Sequence, residues 1–148
     1  MEIWAAKLRN YLEKYSAADL RQLFDMTGVE PLSINSIEHV TFRSPADYAG
    51  IKAECEELSS LAAILRCPYI VVVPGRLPGP APCLEEIIDE SVRVLSDLSA
   101  IAERIASHWF GTGSSGLGLT ESGLGLFAIW GIGHCDGLAD AVVQLARK

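Results

Sequence analysis

The chain has 148 residues, which is enough to bury one hydrophobic core and too few for two sizeable domains. With 49% apolar and 21% charged residues, it has the composition of a folded globular protein rather than a disordered one. The formal charge of −7 argues against the basic surface by which proteins bind nucleic acid, so no nucleic-acid partner is expected.

The first third of the chain predicts a strand, two helices and a second strand. Ile3-Trp4 resembles the end of a strand, and residues 7–15 form a short helical pattern with one apolar side. Ser16 and Asp19 provide a capping-box-like start for another helix, and the glycine at 28 suits the left-handed position that ends it. Residues 29–37, rich in β-branched and aliphatic side chains, predict the next strand.

The same order of elements repeats over residues 44–105. Ser44-Pro45 begins a helix whose apolar residues recur every three or four positions, and Pro68 ends it. Residues 69–73 form a near-continuous apolar run, typical of a parallel strand covered on both faces. A loop rich in proline and glycine leads to a further predicted helix over 84–105. This alternation predicts an α/β fold with a parallel sheet.

Beyond residue 103 the alternation stops and glycine becomes frequent. At this density glycine weakens helix and strand alike. We therefore predict a folded domain over residues 1–103 and an irregular glycine-rich tail over 104–148. One hypothesis for the tail is that it is translated from the wrong reading frame of a coding sequence that originally continued the same fold. The glycines lie at 111, 113, 116, 118, 123, 125, 131, 133 and 137.

Two motifs in the tail are weak signals. Residues 111–116 fit G-x-G-x-x-G, with Asp136 about twenty residues later, but a helix rather than a strand precedes the glycines. Residues 134–136 (His-Cys-Asp) are adjacent in the chain, which hinders their convergence on one ion, and no second ligand pair has zinc-like spacing. An ordinary loop is the competing interpretation of both.

The ends of the predicted strands carry the more informative polar residues. Asn35 ends an apolar strand, where its amide either bonds neighbouring backbone or faces a ligand pocket. Glu38 and His39 follow it, at the edge where α/β enzymes place their chemistry, although a solvated loop pair is the competing interpretation. Pro74 ends the next strand, where it lacks an N–H for the ladder.

The cysteines and the apolar runs indicate where the protein resides. No C-x-x-C pair occurs, so we expect free thiols, buried at Cys55 and Cys67, in a reducing cytoplasm. Residues 1–4 lack the features of a secretory signal. The longest apolar stretch, 117–133, is too short and too interrupted to span a bilayer, so no membrane partner is expected.

Five segments, taken in order, resemble the sugar phosphate isomerase/epimerase family of xylose-isomerase-like TIM barrels. The resemblance is strongest to its inosose (2-keto-myo-inositol) isomerase branch and covers residues 1 to about 103. The segments are 2–4 (EIW), 14–20 (KYSAADL), 31–36 (PLSINS), 67–74 (CPYIVVVP) and 90–103 (ESVRVLSDLSAIAE).

This resemblance implies a partial (β/α)8 barrel with about three to four of the eight units. It also implies a small sugar or cyclitol substrate. In such chemistry a divalent metal (Mn, Mg, Co or Zn) polarises the carbonyl of a polyhydroxy ketone while carboxylates move the proton.

Only part of the family's site has counterparts in this chain. Its four metal ligands (a Glu, an Asp, a His and a second Glu) lie on strands after the helix that corresponds to residues 84–105, and none is matched here. We therefore predict no metal site, no cofactor and no assignable catalytic residue in this chain. The positions with counterparts lie at the edge of the substrate pocket: Trp4, Asn35, Glu38 and Pro74.

The sequence thus predicts a truncated isomerase/epimerase-like protein that is inactive alone. Nothing in these residues separates an isomerase from a dehydratase of the same family. Exposed sheet edges in a partial barrel predict low stability of the monomer and self-association. The alternative is a small α/β binding or interaction module whose glycine-rich tail forms a ligand loop.

Overall fold

The computed structural model describes residues 1–110 and 125–128. The predicted alternation of strands and helices is confirmed. The elements are β1 (Glu2–Trp4), α1 (Ala5–Leu12), α2 (Ala17–Thr27), β2 (Ser33–Ile37), α3 (Pro45–Leu65), β3 (Tyr69–Val72), α4 (Leu84–Phe110) and β4 (Gly125–Ala128).

Some elements differ in length from the prediction. β2 begins at Ser33 rather than at residue 29. Pro31 lies among the residues that were predicted to be strand and are not, and it has no N–H to donate to a neighbouring strand. α1 begins at Ala5, directly after Trp4 of β1, so no loop separates strand from helix. α4 extends to Phe110, five residues beyond the predicted end.

The strands form one parallel sheet in the order β1-β2-β3-β4. Trp4 pairs with Asn35, and Asn35 pairs in turn with Val71. Right-handed crossovers between strands added in sequential order place the connecting helices on one face of the sheet. The contacts between α2 and α3 and between α3 and α4 agree with this arrangement. A doubly wound sheet would instead reverse its strand order at the ligand crevice.

Polar side chains at the predicted caps begin the two middle helices. The Ser16 hydroxyl accepts a hydrogen bond from the Asp19 amide at 3.1 Å, and the Asp19 carboxylate accepts one from the Ser16 amide at 2.9 Å. Gly28 adopts φ +66°, which confirms the predicted end of α2. The Ser44 hydroxyl caps α3, accepting from the amide of Asp47 at 3.2 Å.

The hydrophobic core lies between the sheet and its helices. One residue of β1, two of β2 and two of β3 belong to it, together with apolar residues of all four helices. Cys55 and Cys67 are buried free thiols as predicted, and burial raises the pKa of each to about 11. The most deeply buried large side chains include Leu8, Ile34, Ile37, Leu58, Leu65, Ile70 and Leu98.

Within the glycine-rich segment the structure describes one strand, β4, which pairs in parallel with β3. The motif at 111–116 and residues 134–136 lie outside the described residues. The division of the chain at 103/104 stays a prediction, and α4 runs through that position. None of the described helices is long and apolar enough to cross a membrane. The cytoplasmic location also stays a prediction.

The loop between β2 and α3 crosses the end of β3 at very short range. The Gly75 amide donates to the Thr41 hydroxyl at 2.9 Å, and the Val40 amide donates to the Val73 carbonyl at 3.1 Å. A Cβ atom on Gly75 would lie 2.7 Å from the backbone oxygen of Thr41. Only glycine allows this approach without a backbone shift.

Replacing Gly75 with alanine should therefore lower the free energy of unfolding by about 1–3 kcal/mol, because a backbone oxygen cannot rotate away from the added methyl group. Urea denaturation measures the change. Gly50→Ala is the matched control, since a Cβ there meets nothing within 4 Å. In the interior of α3 that alanine should stabilise the chain by about 0.5–1 kcal/mol. Equal stability of Gly75→Ala and the wild type would contradict the close approach.

Candidate functional site

Three of the four predicted pocket-edge residues border one cleft at the carboxyl edge of the sheet. This open cleft has a volume of about 490 Å³. Trp4 reaches it from the end of β1, Asn35 from within β2, and Glu38 from the residue following β2. Parallel strands bring these ends together, which is where barrel enzymes hold their active sites. The remaining lining residues are Ala5, Ala6, Arg9, Ser36 and Glu54.

Neighbouring polar groups orient the strand residues of the cleft. The Asn35 side-chain amide donates to Glu2 Oε1 at 3.4 Å, and the Ser33 hydroxyl donates to the same oxygen at 3.5 Å. The Ser36 hydroxyl donates to Glu38 Oε1 at 3.2 Å. Trp4 is 60% exposed, so its ring is accessible to a ligand. The cleft thus offers an aromatic face, an oriented amide and a carboxylate.

Two helices supply an ion-pair cluster beside these groups. Arg9 of α1 contacts Glu54 Oε1 at 2.8 Å and Glu57 Oε2 at 2.9 Å, both on α3. Hydrogen bonds to Glu57 and Glu54 raise the pKa of the Arg9 guanidinium above its usual value. Sequence reasoning missed Arg9 and Glu54. They are 45 residues apart on the polar sides of two helices, and no local pattern links them.

His39 lies beside the cleft but does not line it. Its Nε2 is 3.9 Å from Glu38 Oε2, beyond hydrogen-bond distance, and both side chains are mostly exposed. The backbone of His39 has φ +58° and that of Phe42 has φ +55°. Side-chain-bearing residues adopt such angles at a cost, and contacts elsewhere must hold them.

A carboxylate on α4 holds the strained loop. Glu90 Oε1 accepts a hydrogen bond from the Phe42 amide at 2.9 Å. Arg93 donates to both oxygens of Glu90 at 2.8 Å and 2.9 Å. The hydrogen bonds from Arg93, and secondarily that from Phe42, lower the pKa of Glu90 below its usual value. The loop that begins with Glu38 is therefore anchored to a helix 48 residues away in sequence.

The structure does not bring Pro74 to this cleft. Pro74 borders a small separate pocket between the β2–α3 loop, β3 and α4. That pocket is also lined by Val40, Thr41, Val72, Ser91, Val94 and Leu95.

The donor set of the described residues does not fit a metal ion. Among residues 1–110 and 125–128, no group of three or more His, Cys, Asp or Glu side chains could hold one. Glu38 and His39 supply at most a pair of donors, whereas catalytic zinc takes three protein ligands. In the described part of the chain, the cleft can bind hydroxyl groups and can accept a proton at Glu38.

Comparisons with known proteins agree with this architecture. No protein-family model matches the chain. An inosose isomerase of Halalkalibacterium halodurans is 33% identical over 98 residues, and one of Bacillus velezensis is 35% identical over 98 residues. Each alignment covers 66% of this chain and 34% of the relative. The chain therefore spans about a third of the length of the curated relatives it matches.

A solved structure gives the same result for the fold. The crystal structure described as "IOLI protein with a binding zinc atom" matches with a TM-score of 0.65 and 31% sequence identity. The match covers 70% of this chain and 37% of that chain. The predicted fold class, a partial TIM barrel, is confirmed.

The anchoring of the loop by Glu90 predicts a pH dependence. A carboxylate whose pKa is lowered by folding stabilises the folded state above its unfolded pKa, and loses that contribution as the pH falls through the folded pKa. Wild-type stability should therefore decline as the pH falls below about 4.5, the usual pKa of a glutamate. Glu90→Gln should be less stable than the wild type at neutral pH and should lose less on acidification.

Urea midpoints measured from about pH 7 to about pH 3 check this difference. Glu103→Gln is the control, because Glu103 is exposed on the same helix and its carboxylate has no hydrogen bond or ion pair with another described residue. Parallel losses in the wild type and Glu90→Gln would contradict the role of Glu90.

Proposed function

Because the chain belongs, over the two thirds of its length that match, to the sugar phosphate isomerase/epimerase family of xylose-isomerase-like TIM barrels, we propose a function in two parts. Its cleft binds a small polyhydroxy ketone of the cyclitol class. The chain does not isomerise this ligand by itself. The convergence of Trp4, Asn35 and Glu38 on one cleft is the observation that carries the proposal.

The chemistry of the lining suits a polyhydroxy ring. An indole face packs against the C–H groups of such a ring. The Asn35 amide offers donors and an acceptor to hydroxyl groups, and the Glu38 carboxylate accepts from them. Curated relatives of the chain are named inosose isomerases, which supports a keto-cyclitol as the ligand. Pro74 stays a predicted pocket residue outside this cleft.

The second part of the proposal follows from the donor set. Moving a proton between adjacent carbons of a ketone requires a base and a group that stabilises negative charge on the carbonyl oxygen. Glu38 is available as a base. Among the described residues, the cation at the cleft is Arg9, which is already paired with two carboxylates. The zinc named for the solved relative has no matching set of ligands in this part of the chain.

One experiment tests both parts with 2-keto-myo-inositol as the probe. NMR in D₂O, with Zn²⁺, Mn²⁺, Mg²⁺ or Co²⁺ added in turn, follows product formation and exchange of the C–H next to the carbonyl. We expect neither to exceed the rate with metal alone. In the same samples the side-chain signals of Asn35 and Trp4 should shift, and Asn35→Ala should weaken binding by about fivefold. Glu103→Gln should leave binding unchanged.

Metal-dependent conversion by the chain alone would overturn the proposed inactivity. Saturable binding that shifts residues elsewhere, with Asn35→Ala binding as tightly as the wild type, would overturn the assignment of the cleft.

We also propose that a second copy of the chain pairs with the outer edge of β1. Within the described sheet β1 is an end strand, and edge strands are templates for pairing. Met1 and Trp4, which lie just before β1 and at its end, are 61% and 60% exposed. Sedimentation equilibrium at micromolar concentrations should show reversible association. A single monomeric species over that range would contradict it.

A further inference from the structure

We propose that Glu54 and Glu57 make the cleft selective for uncharged polyhydroxy ligands, because they hold Arg9 and so deny it to phosphate esters. This inference rests on the proposed function, since it concerns the ligand of the same cleft. The family is named for sugar phosphates, whereas the relatives reported above are named for inosose, which is uncharged. The ligands suggested by these two names therefore differ in whether they carry a phosphate group.

Arg9 is the residue that would otherwise bind a phosphate here. It lines the cleft, and an arginine guanidinium matches the geometry of phosphate oxygens better than any other side chain. Its Nη2 is already within 2.9 Å of both Glu54 and Glu57, and its Nε is 3.5 Å from Glu57 Oε1. A phosphate would have to displace both carboxylates to bind the same nitrogens.

The charges around the cleft oppose that exchange. Glu38 and Glu54 line the cleft with Arg9, and Glu57 contacts the Arg9 guanidinium without lining the cleft. Among the described residues at the cleft, the carboxylates outnumber the one positive group, so an incoming phosphate meets a net negative charge there. The side chains of Arg9, Glu54 and Glu57 are 39%, 30% and 47% exposed, and screening at this exposure makes the pairs minor contributors to stability. Their larger effect is on whether the cleft binds a neutral or an anionic ligand.

The test compares two ligands that differ by one phosphate group, myo-inositol and myo-inositol 1-phosphate, with inorganic phosphate as a third probe. Calorimetry gives the affinities, and the Nε–Hε NMR signal of Arg9 reports whether the guanidinium is engaged. The variant Glu54→Gln/Glu57→Gln removes both charges and keeps acceptor oxygens. Glu56→Gln is the matched control. It removes the same charge from the same helix, where Glu56 pairs with Arg104 at 2.6 Å outside the cleft.

In the wild type the phosphate ester should bind at least about tenfold more weakly than the neutral ring. In Glu54→Gln/Glu57→Gln the ester and inorganic phosphate should both gain at least about tenfold, with a shift of the Arg9 signal. Adding Arg9→Gln to that variant should abolish the gain. Glu56→Gln should bind all three ligands as the wild type does.

No gain in the double variant, or an equal gain in Glu56→Gln, would overturn the inference. Wild-type binding of the ester as tight as that of the neutral ring would do the same. If the double variant does not fold, Glu57→Gln alone, at the most exposed of the three side chains, should show part of the gain. Failure of the wild type to bind both 2-keto-myo-inositol and myo-inositol would count against the proposed function instead. The measurements with inorganic phosphate would still show whether Glu54 and Glu57 prevent Arg9 from binding a phosphate group.

Discussion

Parallel pairing of β1, β2 and β3 is the constraint on which the rest of this molecule depends. Parallel strands share one carboxyl edge, and the alternation of side chains then determines which residues face the helices. Ile3, Ile34 and Ile70 fall in register and turn toward the helices, where they are buried. The residues one position away, including Trp4 and Asn35, fall on the other face.

Contacts between helices and loops complete the edge that the strands begin. Glu90 on α4 holds the Phe42 amide, and Thr41 holds the amide of Gly75. These bonds fix a loop in which two side-chain-bearing residues have positive φ. Backbone strain of this kind persists only where several independent contacts from the surrounding structure hold the conformation. The position of Glu38 at the cleft therefore depends on α4 as well as on β2.

The local features were predictable because the interactions that stabilise them join residues only a few positions apart in the chain. The capping of α2 by Ser16 and of α3 by Ser44 follows from hydrogen bonds that span three positions. The burial of Cys55 follows from a helical period along α3. The sequence also placed Asn35 and Glu38 near the end of a strand, although β2 continues past Asn35 to Ile37. It overestimated the length of β2, and it did not show that Pro74 borders a separate pocket.

By itself, the sequence determined the order of the elements, their parallel arrangement, their caps and the apolar faces that form the core. Those properties follow from periodicity and from short-range hydrogen bonds. Only the tertiary structure decided that Arg9 meets Glu54 and Glu57, and that Phe42 meets Glu90. These partners are at least 45 residues apart, and each lies on a polar surface that looks the same in sequence whether or not it has a partner. Their meeting depends on strand register and helix packing, which sum many weak contacts along the whole chain.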